Sequence, residues 1–81
     1  MRTVAAGPAL ATGMALADLD ERQLWIRYLA LGGNYPYHQL CEYIHGQRSG
    51  SAHEHDVAAQ ALNEYLADQG MDHPVRYSRD L

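Results

Sequence analysis

The 81-residue chain has no lysine, one cysteine, one tryptophan, and no apolar run long enough to cross a bilayer. A single cysteine closes no disulfide within the chain. That removes the stapled frameworks of small secreted domains and fits a reducing, cytoplasmic setting. All six basic residues are arginine, set against ten acidic ones, for a formal charge of −4. This sign disfavours the nonspecific attraction to phosphate on which most nucleic-acid binding rests. Arginine without lysine, beside abundant alanine, reads as the mark of GC-rich coding rather than of function. Hydrolase, kinase, P-loop and dinucleotide motifs are all missing, and a helical domain of this size rarely encloses a catalytic pocket. The expectation is therefore a protein that is not an enzyme and carries no cofactor.

What is present is helical. Asp20 to Leu31 holds the only tryptophan, and at about 100° per residue Leu24, Trp25, Tyr28, Leu29 and Leu31 fill one arc that Ile26 widens. Such a helix asks for cover on more than one side, and it reads as the central one. Asp20 is placed to cap it with Gln23 completing a capping box, and Gly32-Gly33-Asn34 stops it. Pro36 at the first position opens a second helix that Gly46 ends. Ser51-Ala52-His53-Glu54 matches the S-x-x-E capping box of a third helix. Its stripe is Val57, Ala58, Ala61, Leu62, Tyr65 and Leu66, with Asn63 outside the stripe and Gly70 as a Schellman stop.

These signals predict an all-α fold, a three-helix bundle over residues 18–31, 36–45 and 51–69 within a domain of residues 18–78. Residues 1–17 read as a flexible Ala/Gly-rich tail, disordered or weakly helical, because Gly7, Pro8 and Gly13 interrupt it. Arg2, the mildly apolar stretch and Ala15-Leu16-Ala17 imitate a signal-peptide cleavage site, yet the apolar part is broken and poor in leucine. Met14 is an alternative start to Met1. After Asp72-His73-Pro74 the alternation Val75-Arg76-Tyr77-Ser78 predicts a short extended strap.

Two groups of residues are candidates for chemistry. His38, Cys41, Glu42 and His45 sit at helical spacings on or beside one face of the second helix, and imidazole, thiolate and carboxylate are all zinc ligands. The simpler reading is a wet helix edge with a small buried thiol. His53 and His55 point about 200° apart on a helix and cannot share an ion. The second group comprises Tyr35, Tyr37, Tyr43, Arg48, Arg76 and Arg79, candidates for contact with a partner, since six tyrosines and Trp25 exceed what so small a core must hide. The functional expectation is a small non-catalytic interaction or regulatory module that binds another protein or itself as a homodimer. The alternatives are a DNA-binding regulator with a divergent helix-turn-helix and a metal-binding protein. Against DNA, the turn Ser51 to Asp56 carries two acids and no arginine.

Leu24-Trp25-Ile26-Arg27-Tyr28, the Gly32-Gly33 turn, Glu42-Tyr43-Ile44-His45-Gly46, His55-Asp56, Ala61-Leu62-Asn63-Glu64 and His73-Pro74-Val75-Arg76-Tyr77 together resemble a group of short uncharacterised actinobacterial helical proteins. The resemblance spans about residues 19 to 78. It implies a source and a compact domain, and neither an activity nor a cofactor.

Overall fold

The computed structural model describes residues 3–81. Met1 and Arg2, and with them the start of the expected tail, lie outside the described residues. The elements run β1 (Thr3–Val4), α1 (Gly7–Ala17), α2 (Glu21–Ala30), α3 (Tyr37–Ile44), β2 (Gly50–Ser51) and α4 (Ala52–Asp68), with a 3-10 turn at Ser78–Asp80. The three expected helices are α2, α3 and α4, each slightly trimmed. The three-helix bundle itself is corrected: α1 is a fourth helix, and β1 pairs antiparallel with β2, Thr3 opposite Ser51 and Val4 opposite Gly50.

The tail expected over residues 1–17 is thus corrected from Gly7 onward. Leu10, Met14 and Ala17 of α1 are buried in the core, and Pro8 stands in the first turn, where its missing N–H costs nothing. Gly7 and Gly13, which break the pattern in sequence, are the points of closest approach. A Cβ on Gly7 would lie 1.7 Å from the Tyr43 carbonyl oxygen, and one on Gly13 would lie 2.5 Å from Val75 Cγ2. Weak intrinsic propensity is overridden here by packing that only glycine permits.

A second correction concerns the centre of the molecule. Helix α4, rather than α2, is what the rest packs on, touching α1, α2, both strands and the 3-10 turn. Of α2 only Leu24 and Tyr28 are buried; Trp25 is half-buried, and Ile26, Leu29 and Leu31 are exposed. Cover on more than one side is therefore not what α2 receives.

The ends of the helices follow local chemistry. Asp20 accepts from the Gln23 amide at 2.8 Å while Gln23 Oε1 accepts from the Asp20 amide at 2.9 Å, a complete capping box. Pro36 precedes α3 as its N-cap rather than as its first residue. All four helices stop in the same way, with paired 6→1 and 5→2 backbone bonds around a residue of positive φ. Gly32, Gly46 and Gly70 fill that position after α2, α3 and α4, and Asp18 fills it after α1. An aspartate there is tolerated because its short polar side chain lowers the cost of the left-handed conformation. Residues 71–77 form no strand. The strap expected there lies on the helices without strand pairing, with Val75 buried and Tyr77 half-buried.

Candidate functional site

Three polar side chains of α4 are turned inward: Glu54 at 7% exposure, with His55 and Asn63 fully buried. His55, Ala59 and Asn63 lie at i, i+4 and i+8 and extend the buried face beyond the stripe read from the sequence. Buried polar groups are costly unless bonded, and each of these is.

Glu54 was expected to close a capping box with Ser51, and only half of that box forms. Ser51 Oγ accepts from the Glu54 amide at 3.1 Å, but the Ser51 amide donates to the Tyr35 hydroxyl at 2.9 Å. The Glu54 carboxylate turns to the α2–α3 connection. Oε1 accepts from the Tyr28 hydroxyl and from the Asn34 amide at 2.9 Å, and Oε2 accepts from Asn34 Nδ2 at 2.9 Å. The Tyr28 oxygen in turn accepts from the Asn34 amide at 3.0 Å and the Tyr35 amide at 2.8 Å. Burial works to raise the Glu54 pKa, but the hydrogen bonds from Asn34 and Tyr28 outweigh it and hold the group below its ordinary 4.5. Burial, with the adjacent Glu54, pushes the Tyr28 hydroxyl well above its ordinary value, so it stays a donor.

His55 bridges α3 to the C-terminal segment, with Nδ1 2.6 Å from the Tyr43 hydroxyl and Nε2 2.9 Å from the Arg76 carbonyl oxygen. A carbonyl only accepts, so Nε2 carries the proton and Nδ1 is left to accept from Tyr43. Burial pushes the Tyr43 hydroxyl up to about 12, which keeps that donor protonated. Asn63 holds the same segment as a strand neighbour would: Nδ2 donates to the Val75 carbonyl and Oδ1 accepts from the Val75 amide, both at 2.9 Å. Asp56 accepts from the Ser78 amide at 2.6 Å and its hydroxyl at 2.8 Å, fixing the 3-10 turn.

The residues expected to meet a partner have mostly internal tasks. Tyr43 is buried on His55, and Tyr35 spends its hydroxyl on Ser51 while its carbonyl accepts from Trp25 Nε1 at 3.0 Å. Tyr37 is half-buried, edge-on to Trp25 with Arg22 over its ring at 4.9 Å. Arg48 lies 3.5 Å from Glu42. Arg76 is exposed, and Arg79 lies over the Tyr77 ring at 5.7 Å. The metal candidates also part company. Glu42 faces Arg48, and His45 Nε2 lies 2.8 Å from Glu21 Oε2 of α2. Burial, with a hydrogen bond to Glu21, raises the half-buried Cys41 thiol, the opposite of what a ligand or nucleophile needs. Among the described residues no group of three or more His, Cys, Asp or Glu is placed to hold a metal ion.

The apolar surface sequence reasoning missed lies along the seam between α2 and α4. Three shallow clefts of about 310, 180 and 360 Å³ follow one another there. Leu19, Ile26 and Tyr65 line the first, Leu31, Ala61 and Tyr65 the second, and Leu31, Val57 and Tyr77 the third. Arg27 lies over the Tyr65 ring at 4.5 Å, between the first two. The signal for it is the apolar breadth of Asp20 to Leu31, which exceeds what the fold buries. Among the described residues no helix is long and apolar enough to cross a membrane.

The chain matches no protein-family model, no curated protein and no solved structure.

Proposed function

We propose that this protein is a non-catalytic helical interaction module that binds protein through the α2–α4 seam. The observation that carries the reading is the exposure of Ile26 at 58% and Leu31 at 41%, both lining the seam clefts, on a stretch whose sequence asks for a second covered side. A patch of this kind on a small domain marks a contact surface. Against catalysis, Glu54, Tyr28, His55, Tyr43 and Asn63 are bonded to one another and to backbone, and none lines a cleft. Their arrangement closes the fold rather than presenting groups to a substrate.

The test is a photo-cross-linking residue placed at position 26 in producing cells, with the same residue at the exposed His38 position of α3 as control. Discrete protein adducts at position 26 and none at position 38 are expected. Equal labelling from both positions, or none from either, refutes the reading.

A further inference from the structure

The two rims of the seam carry opposite charge. Arg27 stands on the α2 side, and Glu64 and Asp68 stand on the α4 side of the same middle cleft. Among the described residues Arg27 has no carboxylate within ion-pairing distance, and Asp68 has neither an ion pair nor a side-chain hydrogen bond. Asp68 also occupies the last turn of α4, which holds no basic residue and where the helix dipole disfavours an acid. Among the described residues of one copy these charges have no ion-pair partner beside the apolar strip.

We infer that the seam binds a second copy of this chain, as an isologous dimer with its two-fold axis along the seam. The inference rests on the interaction reading above and names its partner. Such an axis lays α2 of each copy over α4 of the other at the same height, because rotation about the seam exchanges the rims without shifting them lengthwise. Arg27 of each copy then meets Glu64 and Asp68 of the other, while Ile26, Leu31, Ala61 and Tyr65 close the centre. A face with one sign of charge would need a different protein; this one complements itself. A standard interface takes about 800 Å² per partner, near a sixth of the 4580 Å² surface here, and the molecule measures 32 × 25 × 21 Å.

The experiment is sedimentation of the full chain up to about 100 μM, within reach of a micromolar complex. A mass twice that of the 9.0 kDa chain is expected. Arg27→Glu alone and Asp68→Arg alone should each weaken the dimer more than about tenfold, since like charges then meet twice in each dimer. Mixed together, those two variants should restore it as a heterodimer, because both charge pairs are regained only between unlike chains. Ile26→Asp should yield a monomer of unchanged helicity, as its side chain is largely exposed. A dimer indifferent to all three changes, or variants that fail to rescue one another, overturns the inference. So does a wild-type monomer at every concentration. In that last case position-26 adducts to another protein would leave the interaction reading standing, and their absence would remove both.

Discussion

The inner face of α4 and the outer face of α2 invert the usual distribution of side chains. On α4 the chain buries a carboxylate, an imidazole and a carboxamide; on α2 it exposes an isoleucine and two leucines. The buried polar groups are each bonded to segments with few backbone partners of their own: Glu54 to Asn34 in the α2–α3 connection, and His55 and Asn63 to Arg76 and Val75 in the C-terminal stretch. An 81-residue chain has little core to spare, so α4 anchors irregular segments with directional bonds where larger proteins use apolar bulk. The exposed apolar groups make no such internal contribution, and it is to them that the proposed contact with another chain is assigned.

That contrast predicts a ranked series of effects on stability. Glu54→Ala should be the most damaging, at about 2–4 kcal/mol, because it strands the buried Tyr28 hydroxyl and removes both bonds that hold Asn34 to α4. Thermal melting should fall by more than about 10 °C for a domain of this size. The same carboxylate predicts an acid limb. Its folded pKa lies below the ordinary 4.5, so its contribution is full above that value and is lost as pH falls toward the folded pKa. Glu54→Gln should flatten that part of the stability-against-pH curve, and an unchanged curve would assign the limb to other carboxylates.

Asn63→Ala follows at about 2–3 kcal/mol, since both polar atoms of the Val75 backbone lose their partner in a buried place. Denaturant titration would check it, and a loss below about 0.5 kcal/mol would mean that water replaces the side chain at no cost. Trp25→Ala comes next at about 2 kcal/mol, less than the ~3–5 typical of a fully buried tryptophan, because the ring is only half-buried. The loss combines its contact with Tyr37 and its hydrogen bond to the Tyr35 carbonyl. Ile26→Asp should change monomer stability least, by under about 0.5 kcal/mol, while having the largest effect on association. A strongly destabilised Ile26→Asp monomer would erase the contrast by placing Ile26 in the core.

Much of the fold was legible because it is written in short-range chemistry. Asp20 with Gln23, Ser51 before α4, and Gly70 after it act within four or five residues, and the structure follows them. What was illegible depends on distant partners. Helix α1 looks like a tail until Gly7 meets the Tyr43 carbonyl, and Asn63 looks exposed until Val75 returns to it. Glu54 shows the competition most plainly: local spacing assigns it to the Ser51 amide, but Tyr28 and Asn34 offer three donors to its carboxylate, and the long-range arrangement prevails. The α2–α4 seam was half legible. Its apolar breadth was visible in the sequence, but whether a neighbouring helix or another molecule covers Ile26 depends on where α4 lies.

Native-state hydrogen exchange at the backbone amides of Asn34, Val75 and Ser78 tests the central claim most directly. None of the three lies in a helix at a position bonded by the ladder, and each donates to a side chain that α4 supplies. All three should exchange slowly, with protection approaching that of Leu62 in the middle of α4. Exchange at the rate of free coil, with Leu62 still protected, would contradict it.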